Sequence, residues 1–269
     1  MSIIKNDFEK MNVTKIKKAK NSKNLTMITA YDALFAKLFE EIADIILVGD
    51  SLNMSFAGKP DTLSATLEQM IYHTNAVCAG APKAFVVLDM PFGTYINKDE
   101  ALKNAVRVYQ ETNAAAVKIE GGEDRADIVK HLTSNSIAVM GHIGLMPQYV
   151  RSEGGYKVRG KTKEDTEQLI KDAIAIEKAG AFCIVVEGVM SEAAQKITEA
   201  ISIPVIGIGA GNVTDGQVLV WSDMLGFFEE FKPKFVRHYL NGAQLVKDAV
   251  NQYRSDVQSK TFPSKEEEY

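Results

Sequence analysis

Eight short apolar runs recur along this 269-residue chain, most of them separated by stretches of helical periodicity. The runs are "LTMITA" from Leu25, "DIILVGD" from Asp44, "AFVVLDM" from Ala84, "AAAVKIE" from Ala114, "IAVMGHIG" from Ile137, "FCIVVEG" from Phe182, "IPVIGIGAG" from Ile203 and "QVLVWSD" from Gln217. They are rich in Val and Ile and continuously apolar, as strands covered on both faces are. Behind Asp32, Leu34, Phe35, Leu38, Phe39 and Ile42 recur at helical spacing, and residues 98–110 and 124–132 repeat the pattern. Thr162 is placed to cap the helix of "KEDTEQLIKDAIAIEKAGA" and Gly180 to end it, while Ser191 is a cap for "EAAQKITEAI".

Strand and helix alternating in this way mean a parallel sheet. Eight units in roughly 250 residues is the size of a closed (β/α)8 TIM-type barrel. It is expected to fill 1–269 as a single domain, with an N-terminal extension at about 1–24 and a flexible tail at about 260–269. An open doubly wound sheet fits the same alternation, but no G-x-G-x-x-G opens the first unit. "GIGAG" (207–211) has glycines at alternating positions and no acidic residue at the distance a dinucleotide loop needs, so it reads as a turn at a barrel mouth.

Totals exclude several classes. A net charge of −4 gives no drive toward nucleic acid or an anionic membrane. No apolar stretch approaches the ~20 residues of a membrane helix, and the N-terminus lacks a signal peptide's apolar core. Cys78 and Cys183 sit in apolar surroundings without C-x-x-C spacing, so they read as reduced core residues of a cytoplasmic protein. Lys15, Lys17, Lys18, Lys20 and Lys23 have no interleaved aromatics and read as a solvated face.

Active sites of barrels sit at the carboxyl ends of the strands. Gathered there are Asp50 and Ser51 after the second run, Asp89 after the third, and Lys118 and Glu120 in the fourth. His142 lies in the fifth, Glu187 ends the sixth and Asp223 the eighth. One aspartate after a strand is commonly a helix cap, and Asp223 reads as a cap or loop residue. Caps explain poorly why so many strands deliver ionisable groups to one rim. Carboxylates with a lysine and a histidine, and no thiolates, suit a hard divalent cation, Mg2+ before Zn2+. A 2-oxo acid offers such a metal a matching chelate, and a carboxylate opposite could take a proton from the adjacent carbon.

The motifs "LVGDSLNM", "YHTNAV", "KIEGGE", "GHIGLMPQ", "GGYKVRG" and "IPVIGIGAGNVTDGQVLV" strongly resemble the ketopantoate hydroxymethyltransferase family, from about Thr26 to about Phe235. The resemblance implies a barrel of the phosphoenolpyruvate mutase/isocitrate lyase-like group. It implies transfer of a hydroxymethyl group from 5,10-methylenetetrahydrofolate, as co-substrate, to 3-methyl-2-oxobutanoate. The product would be 2-dehydropantoate, in pantothenate and coenzyme A biosynthesis, formed through a Mg2+-stabilised enolate with one Mg2+ per subunit. It implies Asp50, Asp89 and, more loosely, Glu120 at the metal; Asp50, Ser51, Asp89 and Lys118 at the substrate; and Glu187 as proton acceptor. It also implies a homo-oligomer, a decamer. Ser51 alternatively caps the helix that follows, and Lys118 can pair with Glu120. His142 either hydrogen-bonds behind the site or is a satisfied core histidine.

Gly188, Val189 and Met190 depart from the family pattern, in which a different residue follows the glutamate and a proline comes soon after. The basic segment "RSEGGYKVRGKTK" (151–163) reads as a lid whose Arg151, Lys157 and Arg159 attract an anion. Two other readings are weighed. A lyase or mutase of the same group is disfavoured by the absence of a K-K-C-G-H run. A non-catalytic binding protein is disfavoured by the intact polar cup.

Overall fold

The computed structural model describes residues 10–229 and 232–269. The first nine residues, part of the expected N-terminal extension, lie outside them. The elements run α1 (Val13–Lys18), β1 (Leu25–Thr29), α2 (Ala33–Phe39), β2 (Ile45–Val48), α3 (Leu52–Ser55), α4 (Leu67–Gly80), β3 (Val86–Asp89), α5 (Lys98–Glu111), β4 (Ala116–Glu120) and α6 (Ala126–Ser134). They continue with β5 (Val139–Gly144), α7 (Lys163–Lys178), β6 (Cys183–Glu187), α8 (Ser191–Ala200), β7 (Val205–Ile208), β8 (Gly216–Leu219), α9 (Trp221–Met224) and α10 (Gly242–Ser259). The eight strands are parallel and close in sequence order, β1 pairing with both β2 and β8, which excludes the open sheet.

The chain divides into two compact units, Met1–Val220 with the barrel and Trp221–Tyr269 with α9 and α10. In the second unit, α10 closes on Lys260 in the left-handed region, and Phe262 lies edge-on to Tyr253. Among the described residues no helix is long and apolar enough to cross a membrane.

One buried cluster joins residues from all eight strands, among them Met27, Ile45, Val87, Ala116, Met140, Cys183, Ile206 and Val218. Ile16 and Ala19, just N-terminal to β1, belong to it too, so residues 10–24 help close the barrel's N-terminal end. Burying a side chain the size of Ile16 contributes roughly 1.5–3 kcal/mol. Lys20 departs from the solvated reading: its ammonium is almost buried, 2.8 Å from Asp215 Oδ2 and 2.7 Å from the Thr198 carbonyl. Asp215 also accepts from the Val205 amide, so this pair ties the segment before β1 to the starts of β7 and β8. Both cysteines are free and buried, as read.

Helix ends follow local chemistry. Asp32, Thr66, Asn97 and Thr162 each accept a backbone N–H as N-caps, and Gly180 follows α7 with φ +101°. Ser191 is different. It is the first residue of α8, and Met190 stands at the cap without a side-chain bond. Helix α2 also departs from a one-faced pattern: it buries Ala36 and Phe39, yet Leu34 and Leu38 point outward, as does Ile42 beyond its end.

Candidate active site

Side chains two apart on a strand share a face. Following the barrel-interior face from the buried cluster gives Phe85 and Val87, then Asp89; Ala116, then Lys118 and Glu120; Met140, then His142; Cys183 and Val185, then Glu187. The interior is apolar toward the strand starts and turns ionisable in its last layer. Asp50 joins from the turn after β2, its backbone N–H 3.4 Å from Asp89 Oδ2.

The cup is buried. Asp50, Asp89, Lys118, Glu120 and His142 are each at most 3 % exposed, while the Glu187 side chain keeps 19 %. The Lys118 ammonium donates to Asp89 Oδ1 at 2.6 Å and lies 3.9 Å from Glu120 Oε1. His142 stands between two carboxylates, Nδ1 3.5 Å from Glu120 Oε1 and Nε2 3.3 Å from Glu187 Oε2. It is therefore a link in the cup and not a core histidine satisfied elsewhere. The Ser51 hydroxyl lies 2.9 Å from that of Tyr31 and makes no cap bond to α3.

Glycine sets the position of Glu187. Gly144, paired with it in register, has φ +100°, and a Cβ there would lie 2.3 Å from the Glu187 carbonyl oxygen. Gly188 has φ +56°, and a Cβ would meet Leu145 at 2.9 Å. Gly188 thus occupies a left-handed turn under a close neighbour.

Charge crowding shapes the electrostatics. Burial, then the charges of Asp89 and Glu120, push Asp50 well above the usual carboxylate range despite Lys118 and Gln148. Burial also raises Asp89, with Lys118 opposing. For Glu120 burial is outweighed by His142 and Lys118, which hold it low. Burial and Lys118 act to lower His142, but Glu120 and Glu187 prevail and push it up to about 9. Burial works against the Lys118 charge as well, yet Asp89, Glu120 and Asp50 hold its pKa above the lysine value. Three buried carboxylates facing one lysine and one imidazole leave an excess of negative charge. Asp50 and Asp89, destabilised as anions and adjacent, fit a hard divalent cation. Among the described residues no three His, Cys, Asp or Glu side chains are grouped so that they could hold a metal ion; one or two carboxylates, with water and substrate completing the sphere, are the Mg2+ pattern.

Two residues at the cup lie outside the strand-tip reading. Gln148, in the loop after β5, donates from Nε2 to Asp50 Oδ2 (2.9 Å) and the Met90 carbonyl (3.0 Å), and from its backbone N–H to Glu120 Oε2 (3.0 Å). The Tyr95 hydroxyl donates to Gln148 Oε1 and accepts from the Glu120 N–H. "GHIGLMPQ" contains Gln148, but neither residue ends a strand, so the barrel rule does not find them.

Other expectations change. Asp223 lies in α9 of the second unit, because β8 stops at Leu219 and a helix begins at Trp221. In the 151–163 loop Arg159 is held by Asp165 at 2.7 Å and Glu153 at 3.6 Å, and Arg151 pairs with Asp61 at 3.0 Å. Two of the three cations expected to attract an anion are thus already paired. The Arg159 N–H donates to the Gly188 carbonyl and Met190 N–H to that of Arg159, so this loop braces the turn after Glu187.

The ketopantoate hydroxymethyltransferase family model matches residues 10–265. Over the full length of both chains, 84% of residues are identical to 3-methyl-2-oxobutanoate hydroxymethyltransferase of Aliarcobacter butzleri and 54% to that of Helicobacter pylori. The fold resembles phosphonopyruvate hydrolase in complex with oxalate and Mg++ (TM-score 0.62, 12% identity, covering 96% of this chain and 93% of that one). It also resembles 2,3-dimethylmalate lyase, a PEP mutase/isocitrate lyase superfamily member (TM-score 0.56, 15% identity, covering 93% and 87%). A closed parallel barrel with an ionisable cup at its strand ends, matched along its length by the family model, makes this chain a member of the ketopantoate hydroxymethyltransferase family.

Proposed function

We propose that the chain transfers a hydroxymethyl group from 5,10-methylenetetrahydrofolate to C3 of 3-methyl-2-oxobutanoate, forming 2-dehydropantoate for pantothenate and coenzyme A biosynthesis. The observation that carries this is the cup itself: a partly exposed carboxylate, Glu187, at the same strand ends as a buried, adjacent Asp50–Asp89 pair, in a chain 84% identical to an enzyme of that name. Asp50 and Asp89 would hold one Mg2+ per subunit, with Glu120 behind them. When bound, that ion supplies Lewis-acid polarisation of the oxo acid's carbonyl and offsets negative charge developing on its oxygen. A neighbour of the same fold, phosphonopyruvate hydrolase, holds oxalate and Mg++, which supports a small chelating acid in such a cup.

The remaining work falls to this chain's own groups. Lys118, charged by virtue of Asp89, offsets the substrate's negative charge, and the Ser51 hydroxyl donates to its carboxylate. Glu187 takes the proton from C3, and the resulting nucleophilic carbon bonds to the donor's methylene carbon; both carbon–nitrogen bonds of that methylene break, water supplies the hydroxyl, and tetrahydrofolate leaves carrying the C3 proton and one proton of the water on its two nitrogens. His142, held between Glu120 and Glu187, orients Glu187 toward that proton. The exposed apolar side chains Leu34, Leu38, Ile42 and Tyr72 support self-association, for which we adopt the decamer implied by family resemblance. The two free, buried cysteines suit the cytoplasm. The test is product formation: purified protein with both substrates and Mg2+ should yield 2-dehydropantoate by mass spectrometry. No product with Mg2+, Mn2+ or Co2+ would end this reading.

A further inference from the structure

Gln148 is 4 % exposed and touches groups from three different loops and strand ends of the cup. The orientation of its amide is forced by chemistry. The Met90 carbonyl can only accept, so the group facing it, and with it Asp50 Oδ2, is the NH2 and the oxygen faces Tyr95. The Tyr95 oxygen already accepts from the Glu120 N–H, so its own proton points to Gln148 Oε1. The order of donation is therefore Glu120 N–H to Tyr95, Tyr95 O–H to Gln148, and Gln148 N–H to Asp50. Each donor has a defined acceptor. Through the Gln148 backbone N–H, Glu120 is fixed by the same residue.

We propose, on the reading that Asp50 holds the divalent cation, that Gln148 is a positioning residue whose Tyr95-locked amide selects which oxygen of Asp50 faces the ion. Holding Oδ2 leaves Oδ1 for the ion, and the second bond to Met90, next to Asp89, keeps the two carboxylates in one fixed relation. Outer groups that orient metal ligands commonly change affinity by ~10–100-fold when removed.

The test measures Mn2+ binding to the full-length protein by loss of the free-ion electron paramagnetic resonance signal, alongside KM and kcat for the oxo acid and circular dichroism melting. Gln148→Met keeps the shape and removes the donor; Tyr95→Phe removes the lock. Both should weaken Mn2+ and raise KM in folded protein, and the double variant should bind no more weakly than Gln148→Met, because Tyr95 acts through Gln148. A purely structural role would lower melting temperature and leave the affinity of the folded fraction intact. Folded Gln148→Met that binds Mn2+ as wild type does overturns the proposal, and so do strictly additive losses. Should Gln148→Met fail to fold, Tyr95→Phe decides, with unchanged affinity overturning the proposal. Wild type that binds no Mn2+ removes the metal reading and this proposal with it, a result distinct from equal binding by wild type and variants.

Discussion

Lys118→Met removes the lysine charge that faces three buried carboxylates while keeping an unbranched apolar stem. Its ammonium lies 2.6 Å from Asp89 and 3.9 Å from Glu120, with side-chain exposures of 4 % or less. At an effective dielectric near 20, contacts of this length are worth roughly 4–6 kcal/mol each before desolvation. Desolvating an ammonium costs several kcal/mol, and losing one partner of a buried pair typically costs about 3–5 kcal/mol. Proton uptake sets a ceiling. Instead of bearing the repulsion, one carboxylate can bind a proton, which at pH 7 costs about 4 kcal/mol, some three pH units above an unfolded Asp near 3.9 at ~1.4 kcal/mol each.

The sign follows from linkage. In the variant, the folded carboxylate pKa rises further above its unfolded value, so the folded state binds more protons and stability falls with rising pH. The deficit relative to wild type should therefore be ~3–4 kcal/mol at pH 7 and shrink by up to ~1.4 kcal/mol per unit toward pH 4. Urea unfolding in EDTA at pH 7, 6 and 5, at one protein concentration, measures it. A deficit that did not change with pH would mean that packing, and not charge, is what Lys118 contributes, and would refute the reasoning.

Glu187→Gln keeps shape but cannot accept a proton, so NMR should show deuterium exchange at C3 of 3-methyl-2-oxobutanoate slowed by ~10²–10⁴-fold, with binding of the oxo acid and Mg2+ retained. Near-normal exchange would move the base elsewhere. For Asp50→Asn the expectation is opposite in stability and function. Because Asp50 and Asp89 are raised in the fold, their charged forms cost stability as pH climbs above the unfolded value. The variant should then melt higher than wild type in EDTA at pH 7, yet gain nothing from added Mg2+, which should raise the wild-type melting temperature. A lower melting point in EDTA would show that the Gln148–Asp50 bond outweighs the repulsion.

Most of the barrel was legible because strands buried on both faces read as apolar runs, and an ionisable residue interrupting such a run is conspicuous. Asp89, Glu120 and Glu187 each end a strand, and Lys118 and His142 fall on the interior phase near its end. What stayed hidden lies where sequence carries no period. Gln148 acts from a loop, through bonds to residues as far as 98 positions away. Lys20 sat in a run of lysines, and only the closed barrel brings Asp215, 195 positions on, against it. Asp223 looked like a strand tip because "QVLVW" stays apolar past Leu219, although the chain has already left the sheet. In α2, helical spacing was correct but could not say which apolar side chains face inward; Leu34 and Leu38 read the same as Phe39.

The layering of the barrel explains how so costly a cup is tolerated. Each interior strand face contributes apolar side chains in its first layers, and Ile16 and Ala19 join them at the N-terminal end. That burial is indifferent to the identity of the last layer, because alternate residues on one strand occupy different levels. The last layer can therefore hold carboxylates pushed away from their preferred charge state while the levels beneath supply the stability. Within that layer the compensation is graded. Glu120 is held low by His142 and Lys118, Asp89 is offset chiefly by Lys118 with His142 adding to it, and Asp50 keeps the least cationic help. The carboxylate with the least cationic help is also the one that accepts the Gln148 amide, so on the proposed reading the demand for an added cation is greatest at Asp50.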